Sequence, residues 1–318
     1  MPTLTTAALA LAGLTGATQV LAARREARAA KLTPPTGQDV DLSGGRVHVA
    51  VFGEPGPGKP DLVLIHGASG NIRDFTQRLA PDLAARYRVF VVDRPGLGWS
   101  DPLPDGGTLE AQAGAIRDAV TRLGAVRPLV LGHSYGGAVA LTWAATAPDT
   151  LAGVLPLGAV AYPWDTGLGA FYTILSHPLG RAIAIPLLTA FTPTPVIRRE
   201  IAKVFRPQYP PAGYIDHLGP ELTMRRGQLR ANALQRRALH GEIEALSPRW
   251  AAIPVPIEVV HGAADRIVPA TIHAERLAAE HPDAPLTLLD GIGHAPHHSA
   301  AREVIAAIDR LAIRANVN

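Results

Sequence analysis

Residues 132–136 read Gly-His-Ser-Tyr-Gly, so that Ser134 stands between two glycines. An apolar run at residues 129–131 precedes this pattern, and a helix-like run at residues 138–145 follows it. A serine at a sharp turn between a strand and a helix projects its hydroxyl group above the sheet edge, where it can act as a nucleophile. Larger side chains at the two glycine positions would collide in so tight a turn. The pattern therefore predicts that Ser134 attacks an electrophilic centre.

Residues 291–294, which read Gly-Ile-Gly-His, carry a candidate base. A serine hydroxyl is a poor nucleophile near neutral pH and needs a base within hydrogen-bond reach. His294 follows the apolar run 286–289, and the flanking glycines allow its loop to fold over the sheet edge. His297 and His298 compete for this role, but they stand beyond a proline at the start of the last helical segment. The spacing therefore favours His294.

Asp265 is the acid that we expect to orient this histidine. An imidazole that accepts a proton needs an acceptor that fixes its tautomer and balances its charge. Asp265 lies in a loop directly after the apolar run 257–261. Asp290 is closer to the histidine in sequence, but it lies at the end of a strand and is expected to shape the turn. Asp93, inside a glycine-rich loop, is expected to bond the backbone of that loop.

Strands and helices alternate through most of the chain. After a first strand with alternating polarity, the predicted strands are apolar throughout, which is typical of strands buried on both faces of a parallel sheet. The strands lie at residues 46–52, 61–65, 88–92, 129–131, 151–160, 257–261 and 286–289, and the helices at residues 74–85, 109–123, 138–145, 269–280 and 302–314. The sequence therefore predicts an α/β fold, with a mostly parallel twisted sheet and helices on both faces.

Residues 161–247 interrupt this alternation. Prolines are frequent there, and no convincing buried strand is present. Helical patterns are present instead, at residues 167–175, 179–188, 196–204 and 220–244. The range is too long for a plain connection. We therefore expect a helical cap at residues 161–247, inserted into a core formed by residues 40–160 and 248–318.

The N-terminal segment, residues 1–30, is apolar in its first part. Residues 3–23 carry no charge and are followed by a cluster of arginines at residues 24–28. The uncharged span matches the ~20 residues that a helix needs to cross a bilayer, and arginines on its C-terminal side would keep the folded body in the cytoplasm. We therefore expect membrane association through residues 3–23; the alternative is a cytoplasmic protein with a docked N-terminal helix. Residues 31–39 are expected to be a linker.

Charge and composition exclude several functions. The 318 residues carry a net charge of +3 that is dispersed along the chain, and no basic tract is interleaved with aromatic residues. Nucleic-acid binding is therefore not expected. The chain contains no cysteine, which excludes disulfides, thiolate metal sites and a cysteine nucleophile. Neither a cofactor nor a metal ion is expected.

Several motifs, in this order, resemble those of the α/β-hydrolase family, from about residue 40 to the C-terminus. They are the oxyanion loop at residues 66–68, the D-x-x-G-x-G-x-S loop at residues 93–100, the serine elbow at residues 132–136, and the acid and base loops at residues 262–265 and 291–294. The order Ser, Asp, His is that of the α/β-hydrolase triad and differs from the other serine-triad folds. The resemblance implies that Ser134, Asp265 and His294 form the catalytic triad.

The same resemblance implies an oxyanion hole. Acyl transfer builds negative charge on a carbonyl oxygen, and two backbone N–H groups receive it. One belongs to Tyr135, directly after the predicted nucleophile, and the other to Ala68, directly after residues 66–67. In some members of the family the acid follows the sixth strand. The nearest acid at that place is Asp165, which is the fallback for Asp265.

The nucleophile's identity narrows the implied reaction. Haloalkane dehalogenases and epoxide hydrolases resemble this fold but have aspartate at the nucleophile position, and dienelactone hydrolases have cysteine at that position. The resemblance therefore implies a serine hydrolase that cleaves a small apolar carboxylic ester through an acyl-enzyme on Ser134. Carbon–carbon bond hydrolysis and acyl transfer with the same triad stay open, and a non-catalytic ligand-binding member ranks below them. The cap is expected to supply the substrate pocket, with Trp164, Phe171 and Tyr172 near its apolar start.

Overall fold

Eight strands form a single sheet in the computed structural model, which describes residues 4–104 and 107–317 and, for residues 4–11, the backbone alone. The strands are β1 (Gln38–Leu42), β2 (Gly45–Phe52), β3 (Asp61–Ile65), β4 (Arg88–Val92), β5 (Leu129–His133), β6 (Gly153–Leu157), β7 (Val259–Gly262) and β8 (Leu286–Leu289). Across the sheet they stand in the order β1-β2-β4-β3-β5-β6-β7-β8. The pairs β1–β2 and β2–β4 are antiparallel, and the others are parallel. The predicted α/β fold with a mostly parallel sheet is confirmed.

Strand β3 shows why the central strands are mainly apolar. All five of its residues are buried. Val63 and Ile65 pack into the core on one face of the sheet, whereas Leu62 and Leu64 pack into a separate core on the other face. Because successive side chains of a strand point to opposite faces, both faces of β3 must be covered.

Helices provide this cover. They are α1 (Leu4–Leu32), α2 (Arg73–Thr76), α3 (Leu79–Leu83), α4 (Leu109–Arg122), α5 (Tyr135–Thr146), α6 (Ala170–Ser176), α7 (Pro178–Phe191), α8 (Thr194–Lys203), α9 (Tyr214–Leu218), α10 (Arg226–Leu246), α11 (Ala274–Glu280), α12 (Pro296–Ser299) and α13 (Ala301–Arg314). Short 3-10 helices occupy Pro148–Thr150, Leu222–Met224 and Ser247–Ala252. Helices α4 and α5 and the end of α10 contribute to the core on one face of the sheet. Helices α2, α3 and α13 contribute to the core on the other face.

Two local features differ from the sequence prediction. The helix predicted at residues 74–85 is broken between α2 and α3. Pro81 has no N–H group, so a continuous helix would leave the carbonyl group of Gln77 without its bond. Strand β1 was not predicted. It carries a glutamine and two aspartates, and only Val40 of its five residues is buried, so the hydrophobic pattern gave no signal at this sheet edge.

The range predicted as a cap, residues 161–247, is described in full and contains α6 to α10 and no strand. Helices α6, α7 and α10 pack around a small apolar cluster of their own, formed by Leu175, Ile185, Leu229 and Ala233. The C-terminal half of α10 instead enters the main core through Leu239 and Ile243. Helix α10 therefore connects the other cap helices to the sheet.

Helix α1 packs along α7 of the cap. Thr18, Ala22 and Ala29 of this helix are buried. The carboxylate of Glu26 binds Arg226, the first residue of α10, through the guanidinium group at 2.7 Å and the backbone N–H group at 2.7 Å. Only residues 33–37 separate α1 from β1. The second half of α1 is thus docked on the cap.

No single helix in the described part of the chain is long and apolar enough to span a membrane. Helices α6 and α7 meet the length and hydropathy criteria only as a pair, and the pair is bent by 109°. Residue 3, the first of the predicted anchor, lies outside the described residues. The anchor at residues 3–23, and the membrane location that depends on it, gain no support and stay predictions.

Replacing Arg226 with alanine should release helix α1 from the cap. The substitution removes a partly buried ion pair, and bonds of this kind contribute about 1–2 kcal/mol, which corresponds to a roughly 5- to 30-fold change in local opening. Hydrogen–deuterium exchange of residues 18–32 should therefore accelerate by that factor. Arg237→Ala, on the exposed face of the same helix, is the control and should leave the exchange unchanged. Equal protection in Arg226→Ala would show that apolar packing alone holds α1.

Candidate active site

Ser134 lies at the junction of β5 and α5 with a left-handed backbone, at φ 54° and ψ −116°. This conformation is strained for a residue with a side chain. The glycines around it permit the approach of other backbone segments. A Cβ atom on Gly132 would lie 2.1 Å from the carbonyl oxygen of Gly136, and a Cβ atom on Gly136 would lie 2.2 Å from that of Ile65. The turn therefore has the geometry of a nucleophile elbow, for the steric reason expected from the sequence.

The structure brings the three predicted triad residues into one chain of hydrogen bonds. His294 Nε2 lies 2.9 Å from Ser134 Oγ, and His294 Nδ1 lies 2.7 Å from Asp265 Oδ2. All three residues are buried. Because the carboxylate can only accept, Nδ1 carries the ring proton and Nε2 is left free to take the serine proton. The arrangement can therefore activate Ser134 by general-base catalysis.

Asp265 is held by its own loop after β7. Its Oδ1 accepts hydrogen bonds from the backbone N–H groups of Ile267 and Val268, at 2.8 and 3.0 Å. Burial alone would raise the pKa of Asp265, but hydrogen bonds from His261 and His294 hold this pKa well below its usual range. The carboxylate is therefore ionised, and its own loop fixes its orientation toward His294.

The two alternative acids do not reach the histidine. Asp165 and Asp290 are both exposed. Gly158 occupies the end of β6, where some relatives of the fold carry their acid, and a Cβ atom there would lie 3.8 Å from Asp265 Oδ2. The position is thus close to the site but holds no carboxylate, and Asp265 supplies the charge from the next strand of the sheet.

The predicted oxyanion donors flank the serine. Tyr135 is the first residue of α5, so its N–H group is among those that a helix leaves without an intrahelical partner. The oxyanion loop lies directly against the serine, because a Cβ atom on Gly67 would be 3.2 Å from Ser134 Cβ. In the part of the chain that the structure describes, no hydrogen bond uses the N–H group of Tyr135 or of Ala68. Both donors are free to bind an incoming oxygen.

Arg94 is a buried cation that orients the oxyanion loop, and the sequence analysis did not identify it. Its guanidinium group donates to the carbonyl oxygens of His66 and Gly67, at 3.0 and 3.1 Å, and to two glutamine side chains. It also stacks over the ring of Tyr135 at 4.1 Å. Burial lowers the pKa of Arg94 to about 10, so the group stays charged near neutral pH. With both carbonyl groups bound to Arg94, the next N–H group, that of Ala68, is held in a fixed orientation.

Asp93 bonds the backbone around its glycine-rich loop, as its position in the sequence predicted. Its two oxygens accept from the N–H groups of Ile72 and Trp99, at 2.7 and 2.8 Å. Burial raises the pKa of Asp93 to about 6, although these two donors act in the opposite direction. The residue fixes the loop next to Arg94.

Two cap side chains also bind the loops of the site, and neither was identified from the sequence. Asn232 of α10 accepts from Ser69 N at 2.9 Å and donates to Ser69 Oγ at 2.8 Å. Gln208 donates to the carbonyl oxygen of Gly291 at 2.7 Å and accepts from Gly293 N at 2.9 Å. The cap therefore fixes both the oxyanion loop and the loop that carries the histidine.

The aromatic residues predicted to bind substrate contact residues of the main core and of the cap. Trp164 packs against the main core and stacks edge-on against His240 at 4.9 Å. Phe171 is half exposed and meets Tyr172 edge-on at 5.2 Å. A surface cavity of about 450 Å³ lies beside the Asp265 loop, and its lining is basic, with Arg199, Lys203, Arg206 and Arg266. The role of the three aromatic residues stays a prediction.

Comparison with known proteins gives the site a context. A family model described as "Alpha/beta hydrolase family" matches residues 62–307. The pimeloyl-[acyl-carrier protein] methyl ester esterase of Chromobacterium violaceum is 31% identical over 271 residues, which cover 78% of this chain and 92% of that protein. A 2-hydroxy-6-oxononadienedioate/2-hydroxy-6-oxononatrienedioate hydrolase of Cupriavidus pinatubonensis is 26% identical over 251 residues, which cover 76% and 82%. A solved esterase from Thermogutta terrifontis superposes with a TM-score of 0.69 at 20% identity, over 88% of this chain and 99% of that one, which shows a shared fold.

Asp265→Asn should suppress the reactivity of Ser134 without unfolding the loop. The amide oxygen can still accept from the two backbone N–H groups, while the amide NH₂ group faces His294 and favours the wrong tautomer. Modification of Ser134 by a fluorophosphonate should slow by about 10³- to 10⁴-fold, with little change in melting temperature. Asp290→Asn, at an exposed acid near the histidine, is the control. An unchanged labelling rate in Asp265→Asn would remove Asp265 from the site.

Proposed function

The chain belongs to the alpha/beta hydrolase family, and we propose that it is a serine hydrolase that cleaves an apolar carboxylic ester through an acyl-enzyme on Ser134. One observation carries the proposal. Hydrogen bonds link Asp265, His294 and Ser134 without a break. The serine lies in a strained elbow, next to two free N–H donors. This arrangement supports acyl transfer to the serine.

The first half of the reaction forms the acyl-enzyme. Ser134 Oγ attacks the ester carbonyl carbon while its proton moves to His294 Nε2, 2.9 Å away. The carbonyl electron pair moves onto the oxygen, which accepts hydrogen bonds from the N–H groups of Ala68 and Tyr135. Each such donor contributes on the order of 3 kcal/mol to transition-state stability. The tetrahedral species then collapses, the alkoxide leaves, and His294 donates its proton to it.

The second half hydrolyses the acyl-enzyme by the same route. Water takes the place of the alcohol, His294 accepts its proton, and the hydroxide attacks the acyl carbon. The collapse returns the proton to Ser134 and releases the carboxylic acid. In both halves the ionised Asp265 balances the charge of the imidazolium group, at 2.7 Å.

The substrate class rests on two lines of support. The described relatives include proteins named as esterases, among them the Chromobacterium violaceum methyl ester esterase. The start of the cap is apolar, with half-exposed or exposed side chains such as Phe171 and Ile174. An apolar acyl or alcohol group would gain about 25 cal/mol per Å² of surface that it buries against such side chains.

Carbon–carbon bond hydrolysis is the second candidate. It is favoured by the 26% identical relative from Cupriavidus pinatubonensis, whose name gives a dienedioate hydrolase. The same serine, histidine and aspartate would serve both reactions. A ligand-binding protein without turnover is disfavoured, because such a protein has no need of an intact triad.

Ser134→Ala should abolish ester hydrolysis. We expect kcat/KM for p-nitrophenyl esters of increasing acyl length to fall by at least about 10³-fold, because the residual rate depends on the oxyanion donors alone. Ser43→Ala, at an exposed turn between β1 and β2, should match the wild type. The acyl length that gives the highest kcat/KM indicates the length of the acyl pocket.

The outcomes separate the candidates. Equal ester hydrolysis by Ser134→Ala and the wild type would contradict the proposal. Negligible turnover of every ester and thioester, together with Ser134-dependent cleavage of a vinylogous 1,5-diketone, would assign carbon–carbon hydrolysis instead. Absence of fluorophosphonate labelling in the wild type would favour the ligand-binding protein.

A further inference from the structure

Behind the nucleophile lies a buried cluster of one carboxylate and two imidazoles, which the reaction above does not use. Asp74 comes from α2, His133 is the last residue of β5, and His297 lies in α12. One ligand atom from each lies within 4.8 Å of the other two. All three residues are buried. They are far apart in sequence, so their spacing gave no metal signature.

The hydrogen bonds of His133 define which of its nitrogens is free. Nε2 lies 2.7 Å from the carbonyl oxygen of His294. A carbonyl oxygen only accepts, so Nε2 carries the proton and Nδ1 holds a lone pair. That Nδ1 is buried and has no hydrogen-bond partner in the described chain. Asp74 Oδ2, which is also an electron-pair donor, lies 3.7 Å from this nitrogen.

His297 offers a second lone pair to the same place. Both of its ring nitrogens are buried and without a hydrogen-bond partner among the described residues. Its Nε2 lies 3.3 Å from Asp74 Oδ1. The same oxygen accepts from the hydroxyl group of Tyr214 at 2.7 Å and from His298 Nε2 at 3.0 Å. These contacts fix the carboxylate, while the two unpartnered imidazoles face it.

Asp74 contributes a buried carboxylate without a permanent cation beside it. No arginine or lysine in the described chain lies within ion-pair distance of Asp74. Burying a carboxylate is costly, and a bound cation lowers that cost.

We propose that Asp74, His133 Nδ1 and His297 Nε2 bind a divalent transition-metal ion, with Zn²⁺ as the best match. Zn²⁺ binds imidazole nitrogen and carboxylate oxygen at about 2.0–2.1 Å in tetrahedral sites, which places ligand atoms about 3.3 Å apart. His297 Nε2 lies 3.3 Å from Asp74 Oδ1 and His133 Nδ1 lies 3.7 Å from Asp74 Oδ2, so that each imidazole is near this separation from one oxygen of the carboxylate. A metal-binding histidine also commonly donates its other N–H group to a backbone carbonyl, as His133 does.

The ion would link three segments that surround the elbow. It would join the helix after the oxyanion loop, the strand that ends at Ser134, and the turn after His294. Because His133 Nε2 holds the carbonyl group of His294 at 2.7 Å, the ion would fix the backbone of the histidine through one imidazole ring. It is therefore a structural ion that positions the site, and its existence does not depend on the ester reaction.

Metal content is the direct test. Full-length protein without an affinity tag, stripped with EDTA and then titrated with Zn²⁺ alone, should bind one ion per chain by isothermal titration calorimetry. His297→Ala should weaken Zn²⁺ binding by well over tenfold. Removing a residue that only supports a ligand already costs about tenfold in metal affinity, and this variant removes a ligand itself. His48→Ala is the matched control, because His48 is also buried beside an aspartate, at 2.8 Å, but lies outside the cluster.

A spectroscopic readout identifies the site independently of affinity. Co²⁺ in a tetrahedral nitrogen and oxygen site gives intense visible absorption, which should be present in the wild type and in His48→Ala. The Asp74→Asn variant should lose this absorption. If His297→Ala does not fold, Asp74→Asn serves as the second test, and circular dichroism shows whether Asp74→Asn is folded. Binding and absorption that are unchanged in both cluster variants, or a wild type that binds no Zn²⁺, would overturn the proposal.

Discussion

The close approach of three backbone segments at Ser134 is the constraint on which the rest of the structure depends. The serine adopts its strained conformation where the backbone packs too closely for side chains. Carbonyl groups of β3 and of α5 lie within 2.2 Å of the positions that Cβ atoms on the two neighbouring glycines would occupy. Two glycines permit this approach, and β3 and β5, whose residues are all buried, hold these segments in place. The free energy of the surrounding core thus maintains a conformation that the serine alone would not adopt.

The remaining parts of the site arrive at the same edge because the sheet is parallel. The oxyanion loop follows β3, the serine follows β5, the aspartate follows β7 and the histidine follows β8. Parallel strands end at the same edge of the sheet, so the loops that follow them meet there even when they are distant in sequence. Gly158, directly after β6, lies next to the aspartate that the neighbouring strand supplies.

Polar side chains fix the orientation of these loops. Arg94 binds two successive carbonyl groups of the oxyanion loop, and Asp93 binds the backbone N–H groups of Ile72, after that loop, and of Trp99, in its own loop. From the cap, Asn232 and Gln208 each make two hydrogen bonds to a loop of the site. Directional bonds of this kind specify an orientation, whereas apolar contacts specify only proximity. Movements of the cap would therefore be transmitted to the oxyanion loop and to the histidine.

The sequence by itself determined the positions of most strands along the chain, the elbow and the three residues now found in one chain of hydrogen bonds, because each is a local pattern. Apolar runs, flanking glycines and a polar residue after a strand can be read without knowing what packs beside them. The sequence could not identify Arg94, Asn232 and Gln208, or the group formed by Asp74, His133 and His297. Their roles arise from partners far along the chain, such as Ser69 for Asn232 and His294 for His133. Only the tertiary structure decides which distant backbone a buried polar side chain meets, because burial removes water as the alternative partner.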